Sequence, residues 1–272
     1  MPKRQGVKIV ILLILLLIGL VCGWYMYRRL NYNKQVFDTD IYACIPPGSK
    51  QVININREPY RDNLNIYEPD FDYLITPLSA VIGLPIIITA DKDTNKTLLC
   101  KTNLEQEGSI KYILRKDIAP AFAPKVKLYK NQKIYFYSLP NNRFLLCTFY
   151  KGIFAASYSL KSIQEFINLD SENTFFSSIT NKEDEDVVYK IKHSSPISVF
   201  LKNNDNILAL NYAAGKDSMI LDGYILNRYY NQPIDSCIAY QLPLRDNLCL
   251  DYFSIADSNK MTMIKIRLNK SF

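Results

Sequence analysis

Few side chains in this 272-residue chain could carry chemistry. Its single histidine, His193, sits in the stretch Lys-Ile-Lys-His-Ser-Ser-Pro. A His-rich metal site is therefore excluded, and a Ser-His-Asp or Cys-His constellation would have to be built on His193 alone. In that setting the residue reads as a surface or linker position. Hydrolysis by a carboxylate pair needs two acids brought within several ångströms by the fold, and Asp70, Asp72, Asp217 and Asp222 are the candidates. Four successive acids, Glu183, Asp184, Glu185 and Asp186, could attract a cation. Calcium, however, needs spaced oxygens and a turn glycine, so residues 181–186 read as a solvated loop. No GxGxxG, GxxxxGK[ST] or GxSxG pattern occurs, and the chain has only nine glycines, so neither a cofactor nor a metal is expected. No catalytic residue can be assigned. A non-enzymatic binding or scaffolding domain is the first expectation, and an anchored hydrolase using a carboxylate pair is the alternative.

The cysteines add little reactive chemistry. Cys22 lies in an apolar run, while Cys44, Cys100, Cys147, Cys237 and Cys249 are scattered through the rest; five cannot all pair, and no CxxC occurs. Cys147, within Phe144-Leu-Leu-Cys-Thr-Phe-Tyr150, reads as a buried small hydrophobe. In an oxidising compartment, Cys237 and Cys249 on neighbouring strands are the first candidates for a disulfide, and the sequence leaves open whether any cysteines pair.

The element that positions everything else is the uncharged run at residues 9–27, which follows Lys3, Arg4 and Lys8. As a helix it extends roughly 28 Å, close to the ~30 Å hydrocarbon thickness of a bilayer. Trp24, Tyr25 and Tyr27 suit the headgroup layer, and Arg28 with Arg29 marks the water boundary. The run is longer than the apolar stretch of a cleavable signal and ends without a small-x-small site. Val21 stands where an acylated Cys22 would require a small residue, and the arginine pair follows the run instead of preceding it as in twin-arginine export. An uncleaved, single-pass signal-anchor is expected, with the bilayer as partner through residues 9–27.

The expected organisation is a short cytoplasmic tail at 1–8, the anchor at 9–27, a juxtamembrane spacer at 28–40 and an exported domain at 41–272. Residues 181–196 offer a place where that domain could divide into two lobes. Flanking charges are nearly balanced, so orientation rests on the ease of retaining a short basic tail while a long domain crosses. N-terminus inside and domain outside, periplasmic in a Gram-negative cell, is the expectation; a domain tethered to the cytoplasmic face is the alternative. The formal charge of +7 belongs to the anchor flanks: six basic residues and no acid precede position 35, leaving 27 basic against 26 acidic residues beyond it. Nucleic acid is therefore not an expected partner.

Periodicity outlines the domain. A strand is expected at 51–56, then a helix capped by Asp70 and running to Ile82 with Pro77 bending or shortening it. A hairpin at 85–90 and 97–101 precedes a short helix from Ser109 to about Ile118. Strands at 126–129, 134–139, 143–150 and 152–157 are separated by tight turns that impose antiparallel pairing. Ser162 and Glu165 have capping-box spacing in a helix whose stripe is Leu160, Ile163, Phe166 and Ile167; a short helix around 174–179 follows. Beyond residue 196 the pattern is strand after strand: 197–201, 207–212, 218–226, 236–242, 248–255 and 261–268. The fold class is α+β, a transmembrane helix followed by a predominantly antiparallel β domain with its helices in the first part.

The runs YKGIFAASYSLKSIQEFI (residues 150–167) and ILALNYAAGKDSMILDGYI (residues 207–225), with the anchor followed by IPPGS, resemble a group of uncharacterised, N-terminally anchored envelope proteins of Bacteroidota. The resemblance implies a fold class and an envelope compartment but no mechanism. The 20 tyrosines could form platforms for a glycan or for an envelope protein, although tyrosine is also a routine strand residue.

Overall fold

The computed structural model describes residues 3–56, 69–170, 172–203, 206–214, 218–226, 248–257 and 262–270. Five α-helices are present among them: α1 (Lys3–Asp38), α2 (Pro69–Leu78), α3 (Leu104–Ile113), α4 (Leu160–Asn168) and α5 (Lys182–Ser194). The strands are β1 (Ser49–Ile55), β2 (Ile86–Asp91), β3 (Lys96–Lys101), β4 (Lys125–Tyr129), β5 (Gln132–Ser138), β6 (Phe144–Tyr150), β7 (Ile153–Ser157), β8 (Ile197–Asn203), β9 (Asn206–Ala214), β10 (Ser218–Leu226), β11 (Leu248–Asp257) and β12 (Thr262–Lys270). All twelve belong to one sheet, in the order β11-β12-β10-β9-β8-β1-β2-β3-β7-β6-β5-β4, and the neighbours pair antiparallel. The α+β class read from the pattern is the class observed.

Strand β1 joins the two halves: Ile53 lies opposite Ile88 of β2 on one side and Val199 of β8 on the other. Both of its faces are covered. Ile53 and Ile55 face a layer formed by α2 and α3, through Phe71, Leu74, Leu78 and Ile110. Val52 faces the opposite layer, formed by a 3₁₀ turn (Ile41–Cys44), α4, a second 3₁₀ turn (Phe175–Ser178) and α5. The hairpins β4–β5 and β6–β7 close through Lys130-Asn131 and Lys151-Gly152, with φ positive at both central residues of each turn, the arrangement whose twist matches flanking strands.

Helix α1 carries an apolar stretch, Val10–Asn31, long enough to cross a membrane by length and composition, and none of it is buried against the protein. It does not stop at the arginines. No glycine or proline lies between Gly23 and Asp38, so the helix continues through the expected spacer as far as Asp38. Arg29 pairs with Glu105 at the start of α3.

Four local expectations are corrected. Asp70 is not a cap, because α2 already begins at Pro69. This helix ends at Leu78, where Pro77 has removed a backbone donor. Helix α3 begins at Leu104 instead of near Ser109, because Asn103 and Gln106 cap each other reciprocally at 2.8 Å; a π turn, Leu114–Ile118, completes it. The cap of α4 is Ser159, whose side chain accepts from the Ser162 N–H, so Ser162 lies inside the helix and buried. Residues 181–186 are not a loop: Asn181 caps α5, accepting from the Glu183 N–H at 3.1 Å. Glu183, Asp184 and Glu185 fill the first turn of that helix, where the positive end of its dipole favours carboxylates. The expected strand at 236–242 lies outside the described residues.

Candidate functional site

A cleft of about 760 Å³ opens where the first 3₁₀ turn, the second 3₁₀ turn and α5 meet. That volume lies within the ~300–1,000 Å³ range of small-molecule sites. Asp40 shapes its floor by accepting from the Tyr42 N–H at 2.9 Å, which starts the turn and aims the Tyr42 ring inward. The Tyr42 hydroxyl then donates to Asn54 Oδ1 at 3.2 Å. Asn54 is fully buried in β1 and donates through Nδ2 to the Lys192 carbonyl at 3.0 Å and to Ser198 Oγ at 3.1 Å. Asn56 Nδ2 reaches the carbonyls of Lys192 and Ser195 at 2.6 and 2.8 Å. The last carbonyls of a helix have no intrahelical partner. Here two strand asparagines supply the donors, which ties α5 to the sheet.

With its carbonyl held this way, the Lys192 side chain lies over two rings, its Nζ 3.6 Å from the Phe176 centroid and 4.4 Å from that of Tyr42. Burial lowers its pKa to about 8, and the Asp40 carboxylate opposes that fall. Two aromatic faces also favour the ammonium. Burial pushes the Tyr42 hydroxyl up to about 12, against the hydrogen bond to Asn54, which lowers it. Phe176 is braced edge-on by Phe200 at 5.2 Å. Tyr189 and His193 complete the rim with rings 4.4 Å apart, His193 Nδ1 lying 2.8 Å from the Tyr189 carbonyl oxygen. The result is an aromatic cleft with Lys192 resting on its rings, Lys101 also in its lining and the exposed acids Glu185 and Asp186 along its lip.

The residues singled out by sequence are placed as follows. His193 is exposed in the last turn of α5, not in a linker, and joins the cleft rim. Asp222 is exposed on β10, between Lys265 of β12 and Asn211 of β9, in a cross-strand row that continues through Ser198 to Asn54 of the cleft; it is not among the residues that line the cleft. Asp70 and Asp72 are backbone members of α2, and Asp217 lies outside the described residues. Asp222 is the one member of these four whose side chain is described, so the expected carboxylate pair lies outside the described residues. Among the described residues, no three or more His, Cys, Asp or Glu residues gather as a metal site. Cys147 is buried, as its neighbours implied, and burial raises the pKa of its thiol and that of Cys100. Cys44 is pushed up to about 11, mainly by burial and then by Asp40. Protonated, shielded thiols are poor nucleophiles. Cys237 lies outside the described residues, so its pairing with Cys249 is an expectation only.

Sequence reasoning missed the residues that build the cleft, Tyr42, Asn54, Asn56, Phe176 and Lys192. The available signal was the pair of asparagines, Asn54 and Asn56, in an otherwise apolar strand.

No family model and no curated protein matches the chain. Two solved structures of the protein TP0453 are similar in outline. Crystal form I is 9% identical with a TM-score of 0.46, covering 86% of this chain and 94% of the other. Crystal form III is 10% identical with a TM-score of 0.44, covering 85% and 95% respectively.

Proposed function

We propose that this chain is a single-pass, membrane-anchored envelope protein whose exported domain binds another envelope component, a protein or a glycan, in the Tyr42–Phe176–Lys192 cleft without chemically changing it. The observation that carries anchoring is the exposure of the apolar helix: no residue of its apolar window within Val10–Asn31 is buried in the domain, and such a surface is suited to lipid. The chemistry of the cleft supports binding over turnover. Its shielded ionisable groups are Lys192 and Tyr42, both engaged by rings or by Asn54, whereas the carboxyls Glu185 and Asp186 at its lip are open to water. Hydrolysis by a carboxylate pair needs at least one acid whose environment keeps it protonated. Tyrosine, histidine and phenylalanine faces instead suit stacking against sugar rings or apolar side chains.

Alkaline carbonate extraction tests the anchor: full-length chain should stay in the membrane pellet, and release of a soluble species would overturn it. A membrane-impermeant thiol probe, applied to cells opened only at their outer layer, should spare a cysteine placed at Gln5; labelling there would reverse the orientation. A photo-crosslinking residue at Glu185 tests the cleft. It should yield a discrete adduct in native membranes that Tyr189→Ala diminishes, whereas adducts indifferent to Tyr189→Ala would sink the binding assignment.

A further inference from the structure

The near-neutral charge of the domain conceals a strong local asymmetry. Between Asp117 and Glu165 the sequence contains seven basic residues and no acid. Four of the seven, Lys125, Lys127, Lys130 and Lys133, occupy the β4–β5 hairpin and are exposed. This hairpin forms one edge of the sheet. Large apolar side chains stand among the lysines: Leu128 is 65% and Val126 53% exposed on β4, and Phe122, just before the strand, is 68% exposed. Tyr112 of α3 is likewise exposed. A monomeric soluble surface rarely groups large apolar residues this way, and a basic rim around them is the composition of an interfacial membrane contact.

The topology places this edge beside the anchor. The β4–β5 turn at Lys130 and the β6–β7 turn at Lys151 lie at the same end of the sheet, because Ile134 pairs with Thr148. At that end the Thr102 N–H donates to the Gly152 carbonyl at 2.9 Å. Thr39, just past α1, donates through its hydroxyl to the Lys151 carbonyl at 3.0 Å. Helix α3 starts there against Arg29 and crosses toward the edge, where its Lys111 Nζ sits 4.7 Å from the Tyr135 ring centroid. Tyr135 is the register partner of Val126. A continuous path of contacts thus leads from Arg29, at the boundary of the apolar helix, to the exposed side chains of β4.

We propose that the β4–β5 edge, with Phe122 and Tyr112, lies on the surface of an anionic bilayer around the anchor, its lysines against lipid headgroups and its apolar side chains in the interface. This inference rests on the anchored reading of α1. Anionic leaflets attract basic residues by about 1 kcal/mol each, and clusters of about 4–8 suffice for recognition; on the domain side of the anchor Arg28, Arg29 and Lys34 fall short of that, and the hairpin lysines supply the remainder. The contact would fix the tilt of the domain and thereby the direction in which the cleft opens.

The test uses the full chain in nanodiscs of phosphatidylcholine alone and of phosphatidylcholine mixed with phosphatidylglycerol. Insertion is read first, as retention on the disc after an alkaline wash. Amide hydrogen exchange over residues 119–133 is then followed by mass spectrometry. The expected result is retention on both discs, with exchange about fivefold slower on the anionic disc. The difference should vanish in the triple variant Lys127→Glu, Lys130→Glu, Lys133→Glu and in Phe122→Asp with Leu128→Asp; all these sites are exposed, so unfolding transitions should not move. Equal exchange on both discs with the chain retained would overturn the inference while leaving the anchor intact. Protection that grows with the number of chains per disc would overturn it in favour of a second copy on this edge. Loss of the chain from both discs would overturn the anchored reading and this inference together.

Discussion

The face of the sheet under α2 and α3 is closed by apolar side chains throughout, with Phe71, Leu74, Leu78, Ile110 and Phe154 all fully buried. The opposite face, under the two 3₁₀ turns, α4 and α5, is closed around a hydrogen-bonded asparagine, and a lysine rests on aromatic rings there. The difference teaches how one sheet divides its work. Apolar closure is non-directional and tolerates a simple lid. Closure through Asn54 and Asn56 fixes the C-terminal turn of α5 in one position, because each donor must meet a particular carbonyl. The polar face is the one with a shaped cleft.

Substitutions on the two faces should separate these modes. On the apolar face, Phe154→Ala removes a fully buried ring and should cost about 3–5 kcal/mol in chemical denaturation of the detergent-solubilised chain. On the polar face, Asn54→Leu keeps the branched heavy-atom outline but strands Ser198 Oγ and the Tyr42 hydroxyl, and a loss of about 1–3 kcal/mol is expected. Because Asn56 still holds the Lys192 carbonyl, the helix should remain docked in that variant. A larger loss at Asn54 than at Phe154 would break the contrast.

The lysine provides a pH signature specific to the polar face. Its folded pKa of about 8 lies below the unfolded value of 10.5, so between those values the unfolded chain binds more protons and stability rises with pH. The raised tyrosines, Tyr42 among them, act in the opposite sense above about pH 10, and the raised thiols of Cys44, Cys100 and Cys147 do so from about pH 9; the lysine is therefore read between pH 8 and about 10 as a difference from a variant that keeps those thiols and lacks the lysine. Wild type should gain stability there relative to Lys192→Met, by about 1–2 kcal/mol once the attraction of the two rings for the ammonium is allowed for. Parallel profiles would show that the rings fully compensate its burial. The smallest effects concern α4, also on the polar face. Ser159→Ala should cost about 1 kcal/mol as a lost cap. Ser162→Ala should be neutral or slightly stabilising, because its buried hydroxyl has no hydrogen-bond partner among the described residues. Reversed thermal shifts would restore the sequence-based cap at Ser162.

These contrasts show what was legible beforehand. The strands from β4 to β7 and the stripe of α4 could be read because each is organised by nearest-neighbour periodicity. Caps were misplaced where two plausible residues lay three apart, as Ser159 and Ser162 do, because capping depends on where the backbone leaves the extended region. The acids at 183–186 looked like a loop because their charge is conspicuous, whereas their stabilisation comes from a helix dipole that exists only once the helix forms.

By itself the sequence determined the apolar helix, the antiparallel β character and the scarcity of catalytic side chains, since all three follow from local composition and period. Only the tertiary structure decided that β1 is inserted between β2 and β8. That placement covers a strand on both sides, makes Asn54 an anchor of α5, and brings Tyr42, Phe176 and Lys192 together from three separate segments. No local pattern encodes such a meeting, because it depends on which strands pair across more than a hundred residues, and pairing is selected by the burial of the whole sheet at once.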